Sequence, residues 1–488
     1  MAHPVATALP STRHTLVGSV RVFLAESLLI PSGLLTAAYL ARRLGPEGYG
    51  LFTVAAALVA WVEWSLTALF SRASVKFVAD AVDWRPIGAT ILRIHLAASL
   101  AVALLLWLLA TPLAAFLGEP VVAAYLRLFA LDIPLFGLAQ AHRNILIGVG
   151  KYTERALAAV ARWVSRLLLV VVLVELGLSV EGAIWGSIGA SLVELAVVRA
   201  FVRPAFLAPA IFQMRKLWGY AAPLLLSALA LRFFDKLDLI TLTALGGSAE
   251  QAGHYGAAQN LSILPGLVAL SFSPVLLSAL SRALREGDRR FARGLSRDAM
   301  RGVVLLVPFA GLVAGSTSDI VGLVFGPAFD PAAPLLSWLI FAALALVQVS
   351  VGTAILTAAG RPGLTFALTG PLPFLALSGY VLLIPQLGPP GAALVTTLSA
   401  TAVALATVLA VFLVCQASPP VGSVFRSTLL GVAAYAVGAM WVTPGFLLLV
   451  KLPLMSIMIL LAFGLLGEFS AVELTALRAV VRRQALTS

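Results

Sequence analysis

Four charged residues, Arg232, Asp235, Lys236 and Asp238, lie near the middle of an apolar run from residue 219 to 245. With about 20 residues needed to cross a bilayer as a helix, that run is long enough. A charge at such depth costs at least about 2.5–3.5 kcal/mol unless it faces protein or a wet cavity. At about 100° per residue Arg232, Asp235, Lys236 and Thr243 share one side of the helix, with Asp238 further round. Two chemistries fit. An ion-pair ladder at i,i+3 and i,i+4 would neutralise itself and staple neighbouring helices. A polar, net-neutral lining would instead serve a substrate path, with Phe233 and Phe234 as apolar faces beside it. Ionisable residues inside a membrane mark such paths by default, so the second reading is adopted.

Other ionisable residues fall inside apolar runs. Glu26 lies in the first, which is interrupted by Pro31, Ser32 and Gly33, and Glu63 lies in the second between Trp61 and Trp64. Arg127 and Asp132 lie in the fourth, five residues apart, a spacing that does not share a helix face well. Arg93 and His95, near one end of the third, are expected to reach for the headgroups. Gly148, Val149, Gly150 and Lys151 imitate a phosphate loop but lack the Walker spacing and a preceding strand. The single cysteine, Cys415, excludes an intramolecular disulfide and a cysteine metal site, and the five histidines are scattered without ligand spacing.

The elements that must position these residues are set by composition. Of 488 residues, 61% are hydrophobic and 11% charged, and the mean hydropathy is +1.02. A soluble domain carries about 25% charged residues, so the chain is read as an all-α polytopic membrane protein. Apolar spans are placed at 22–40, 51–70, 88–110, 121–146, 157–175, 182–200, 219–245, 255–280, 302–325, 334–358, 364–384, 391–415, 425–442 and 446–466, about fourteen in all. The first is read as a retained helix rather than a signal peptide, since residues 1–21 hold no short apolar region with a cleavage site. Of the 33 Lys and Arg, 26 are assigned to alternate loops starting from the N-terminus, Arg143, Arg162, Arg166, Arg199 and Arg426 among them although they fall inside the span bounds, two to the opposite loops and five to spans. Positive residues stay in the cytoplasm, so both termini are expected there. The net charge of +12 is therefore a topology signal with affinity for anionic lipid, not a nucleic-acid footprint.

A repeat runs through the chain. Gly48-Tyr49-Gly50 recurs as His254-Tyr255-Gly256, and Gly150-Lys151 as Gly360-Arg361. Leu176-Gly177 with Gly182-Ala183 recurs as Leu387-Gly388 with Gly391-Ala392. The offsets lie near 210 residues, and parallel repeats related by an axis along the membrane normal are a transporter architecture. The expected division is 1–210 (spans 1–6), 211–418 (spans 7–12) and 419–488, two appended spans and a terminal helix. The offset makes Glu26 the counterpart of Arg232, and Glu26 would compensate Arg232 or Lys236 when no substrate is bound. Residues 199–216 form a basic linker, and Arg282 to Arg301 a second basic loop that is expected to lie on the headgroups. Ser470 and Glu473 form a capping box before a helix with Val472, Ala476, Leu477 and Val480 on one face and Arg478, Arg482 and Arg483 near its end. It reads as an interfacial helix.

These residues carry a resemblance. The turn Leu44 to Gly50, the charged Arg232 to Lys236 with His254-Tyr255-Gly256 after it, Gly148 to Tyr152, and Gly467-Glu468 with Glu473, Leu474, Leu477 and Arg478 resemble the bacterial polysaccharide transporters. These are the O-antigen-type oligosaccharide flippases of the multidrug/oligosaccharidyl-lipid/polysaccharide flippase superfamily. The resemblance implies two six-helix lobes about a pseudo-two-fold axis plus two C-terminal helices. It implies a central cavity lined by Glu26, Glu63, Arg232, Asp235 and Lys236, with Arg127, Asp132, Trp61 and Trp64 as further candidates. It also implies outward flipping of an undecaprenyl-diphosphate-linked oligosaccharide in the bacterial inner membrane by rocking of the lobes. No cofactor is expected, with proton or sodium coupling open. The implied partners are the lipid-linked substrate, membrane lipids and a polysaccharide polymerase or glycosyltransferases. A cation-coupled extruder of the same fold is the alternative, as is a lipid II flippase, although the first two spans hold few arginines. An enzyme is disfavoured: the loops are short and hold no nucleotide-binding fingerprint.

Overall fold

The computed structural model describes residues 28–204, 234–443 and 445–469. Glu26, Arg232, Phe233 and the expected C-terminal interfacial helix lie outside the described residues. The described residues hold α-helices and short 3-10 or π turns, with no strand among them.

In chain order the helices are α1 (Leu29–Ala79), α2 (Trp84–Phe116), α3 (Val122–Phe129), α4 (Asp132–Gly148), α5 (Tyr152–Leu173) and α6 (Ser179–Phe201). Helical residues 234–244 form α7, followed by α8 (Ala249–Ser262), α9 (Gly266–Arg285), α10 (Arg289–Val304), α11 (Val307–Gly315) and α12 (Thr317–Val324). The rest are α13 (Ala332–Ala358), α14 (Pro362–Thr369), α15 (Leu372–Leu387), α16 (Pro389–Cys415), α17 (Val421–Met440) and α18 (Leu448–Leu465).

Ten segments among the described residues are long and apolar enough to cross a membrane. Two of them are doubled. The segment Tyr152–Phe201 has 50 residues, about 75 Å if straight, against a hydrocarbon core of about 30 Å. It folds back at Gly177, whose φ of 89° suits glycine, so α5 and α6 form an antiparallel pair. A methyl at Gly186 would come within 2.7 Å of Val170 backbone, and one at Gly182 within 2.9 Å of Leu173 backbone. The segment Pro31–Thr67 lies in α1, which breaks at Gly45 (φ 70°, ψ 178°), with Pro46 opening its second part. Counting both as two, the ten segments account for twelve of the fourteen expected spans. The expected span 219–245 lies mostly outside the described residues. The expected span 255–280 is instead two helices, α8 and α9, because the helix stops before Pro265.

Packing divides the chain into two compact units. The first holds residues 1–260 and 369–395, the second 261–368 and 396–488. The division by repeat, at 210 and 418, follows a different criterion and stays a proposal. Positions matched by the repeat do share backbone conformation: Gly150 and Gly360 have φ of 77° and 75°, and Gly177 and Gly388 have 89° and 62°.

In the first unit, Val78, Ile91, Leu92, Ile145, Leu146 and Val198 build a core where α1, α2, α4 and α6 meet. His95, expected at the headgroups, is buried there too: Nδ1 lies 2.9 Å from the Ile91 carbonyl and its ring 5.0 Å from Phe70. Both copies of the glycine-tyrosine motif lie in this unit, and they cross. A methyl at Gly50 would overlap the Ala249 carbonyl, and one at Gly253 the Pro46 carbonyl. The adjoining Tyr49 and Tyr255 are fully buried. Glu119 accepts from the Ala249 N–H at 3.0 Å, a carboxylate at the start of α8 where the helix dipole favours it.

In the second unit α17 lies on α11 with no room for side chains between: methyls at Gly311 and Gly315 would overlap the Gly431 and Tyr435 carbonyls. Buried ion pairs hold both ends of the α17–α18 pair. Lys451, fully buried in α18, donates to Asp319 Oδ2 and to the Gly438 carbonyl, each at 2.9 Å. At the other end Glu468 accepts from Arg301 at 2.7 Å, from Arg426 at 2.8 Å and from Ser423. Burial would raise the Glu468 carboxyl, but the donors Ser423, Arg426 and Arg301 outweigh it and hold the group below the usual carboxylate range. The closing Gly467-Glu468 motif thus has a structural role.

Candidate functional site

Seven charged residues of the first unit collect where α1, α4, α5 and α6 meet. Glu63 comes from α1, Asp132 and Arg143 from α4, Arg155, Arg162 and Arg166 from α5, and Glu194 from α6. Glu194 is fully buried and bridges two guanidinium groups, Arg143 at 3.0 Å and Arg162 at 2.9 Å. Phe136 lies between those two, its ring centre 5.1 Å from Arg143 and 4.9 Å from Arg162. Arg143 also donates to Gln140, whose amide donates to Ser71 at 3.0 Å and Asn144 at 2.9 Å. Such a bridge survives burial because both charges are paired and hydrogen-bonded.

One turn further along α5 the accounting changes. Arg166 has no hydrogen bond or ion pair among the described residues, and its Nε is buried without a partner. Its electrostatic neighbours are Arg162, Asp132 and Glu63. Glu63 and Asp132 are both buried and adjoin each other. Each keeps one buried oxygen, Oε1 and Oδ1, without a donor among the described residues. Buried polar atoms are nearly always satisfied, so unsatisfied ones gathered in one cluster point to a site. Counted as ionised, the seven groups are four cations and three anions.

The α5 cations are aligned. Lys151 caps the helix, and at about 100° per residue Lys151, Arg155, Arg162 and Arg166 fall within an arc of about 60°. At about 1.5 Å per residue the stripe runs about 22 Å, far enough to reach the middle of a bilayer from one surface.

The sequence-derived candidates separate. Glu63 and Asp132 come together. Arg127 does not join them: it donates to Thr111 at 2.8 Å, with its guanidinium 5.3 Å from the Trp107 ring centre. Trp61 is half-buried and Trp64 exposed. On α7, Asp235 is exposed, while Lys236 donates to Gln259 Oε1 at 2.5 Å. Asp238, expected off the polar face, is the buried carboxylate here, accepting from Tyr255 at 2.8 Å and Gln259 at 3.2 Å. The topology count assigns Arg143, Arg155, Arg162 and Arg166 to a cytoplasmic loop, but all four are helical and buried or half-buried. Moving these four takes the positive count on that side from 26 to 22, still against two. The i, i+4, i+11, i+15 spacing from Lys151 was the signal that could have found the stripe.

Comparison with known proteins places the chain. A family model described as polysaccharide biosynthesis protein matches residues 21–284, over half of the sequence. The chain belongs to this family. An uncharacterized membrane protein of Methanocaldococcus jannaschii is 27% identical over 184 residues, which span 38% of this chain and 36% of that relative's length. The polysaccharide biosynthesis chain also has the fold of solved transporters. The lipid II flippase MurJ, in an inward closed conformation, superposes with a TM-score of 0.71 at 14% identity, over 92% of this chain and 98% of MurJ. The MATE transporter VcmN of Vibrio cholerae gives 0.56 at 16% identity, over 83% of this chain and 96% of that one. A multidrug resistance MATE family transporter of the MOP superfamily gives 0.58 at 16% identity, over 84% and 95%. The protein is thus a multi-pass membrane protein of the polysaccharide biosynthesis family with a flippase and extruder fold.

Proposed function

We propose that the protein flips a lipid-linked oligosaccharide, of the undecaprenyl-diphosphate type, from the inner to the outer leaflet during surface polysaccharide synthesis. The observation that carries this reading is the basic stripe on α5, ending at an uncommitted guanidinium beside two carboxylates. A fixed cation at membrane depth suits an anionic headgroup, and a guanidinium offers phosphate a bidentate fork. A cationic drug would be repelled there. The family match supports a polysaccharide role, and the fold supports alternating access of two halves. In this reading the prenyl tail stays in lipid, both termini are cytoplasmic, and no covalent chemistry takes place. The chain would work in the bacterial inner membrane with glycosyltransferases before it and a polymerase after it; proton or sodium coupling supplies direction.

Depletion of the protein in its own cells is the test. Lipid-linked oligosaccharide should build up on the inner leaflet and surface glycan should fall, with sensitivity to cationic dyes unchanged. Increased dye sensitivity with normal surface glycan would establish the extruder instead.

A further inference from the structure

The flippase reading leaves open which groups take the headgroup and which let it go. We propose that Arg166 is the diphosphate-binding guanidinium and that Glu63 and Asp132 are its counter-ions when no substrate is bound. This rests on the function proposed above.

The cluster has two parts with different commitments. Arg143 and Arg162 are fixed by Glu194 and flank Phe136, so their charges are used in holding α4, α5 and α6 together. Arg166 is not fixed. It follows Arg162 by one turn, stands about 21 Å along α5 from Tyr152, and has only charge neighbours. A guanidinium facing lipid would be costly, and Arg166 is half-buried, with part of its side chain still accessible. The nearest anions, Glu63 and Asp132, balance its charge at a distance without saturating its donors. A diphosphate can do what they do not, by accepting two parallel N–H bonds. Once bound it sits beside two carboxylates that repel it. Entry is drawn along Lys151 and Arg155, and release is driven by Glu63 and Asp132. A site of cations alone would bind and hold.

The substitutions separate these roles. Arg166 makes no hydrogen bond among the described residues for its removal to break, and Gln keeps a polar side chain there, so Arg166→Gln is compared at matched amounts of folded protein, and Arg166→Lys keeps a point charge without the fork. The probe is a short-chain prenyl diphosphate sugar, a diester that lacks the second phosphate ionisation near pH ~6. Binding is measured to purified protein in phosphatidylcholine nanodiscs. Arg166→Gln should weaken it at least about tenfold and Arg166→Lys by less, as expected for loss of a charged bidentate contact. Glu63→Gln should bind the probe more tightly, yet turn over more slowly in vesicles, a lower KM with a lower kcat. Wild-type affinity in both Arg166 variants would overturn the assignment, as would weaker binding in Glu63→Gln. Displacement of the probe by equimolar phosphatidylglycerol would also overturn it, by showing a general phospholipid headgroup site. Failure of the function looks different: depletion would leave surface glycan intact while Arg166 still governs binding of the probe.

Discussion

Glu194→Ala is expected to abolish accumulation of folded protein. Glu194 is fully buried and is the anion shared by Arg143 and Arg162. Its removal leaves two buried guanidinium groups without their counter-ion, and stranding one partner of a buried pair costs about 3–5 kcal/mol. That is a large part of the net stability of an ordinary domain, about 5–15 kcal/mol. The damage falls on the α5–α6 pair, which the glycines at 182 and 186 already bring to backbone contact. Fluorescence-detected size-exclusion of a tagged protein, with a thermal midpoint, reads the effect. Replacing all three members with Met or Leu should restore the fold, since an apolar triad of similar volume is often neutral or better. A Glu194→Ala protein that melts like the wild type would mean that the bridge holds nothing together.

The second large effect belongs to the crossing of the two motif copies. A methyl at Gly50 or Gly253 would collide with a backbone carbonyl, of Ala249 or Pro46, not with a side chain that can turn aside. The two helices must then part. Overpacking in a well-packed interior costs about 1–3 kcal/mol, and here the upper end is expected. Gly302→Ala is the control, because a methyl there meets nothing within 4 Å. Thermal midpoints in detergent should fall for Gly50→Ala and Gly253→Ala and hold for Gly302→Ala. Equal midpoints for all three would show that the helices do not approach so closely.

How much of this was legible beforehand depends on the kind of signal. The spans were readable because apolar runs and Pro or Gly breaks are local: Gly45, Gly177 and Gly388 break or close helices where their neighbours suggested. The repeat was readable too, although only the structure shows that Gly50 and Gly253 touch. Burial was not readable, since it depends on which neighbour covers a face. Asp238 was placed off the polar face of α7 and is its most buried acid, because Tyr255 and Gln259 of α8 come to meet it. The topology count assigns Arg162 and Arg166 to a loop although both fall inside the span 157–175. Here Glu194, 28 and 32 residues further along the chain, keeps Arg162 inside, and no local pattern announces that partner. Glu26 and Arg232 lie outside the described residues, so their pairing remains a proposal.

The most direct measurement is translocation in proteoliposomes. Purified protein is reconstituted with a fluorescent prenyl-diphosphate oligosaccharide, and an impermeant quencher is added outside. The protected inner pool should become quenchable with wild-type protein and stay protected with Arg166→Gln folded to the same level. A protected pool no different from that of empty vesicles, with folded wild-type protein present, would contradict the flippase function itself.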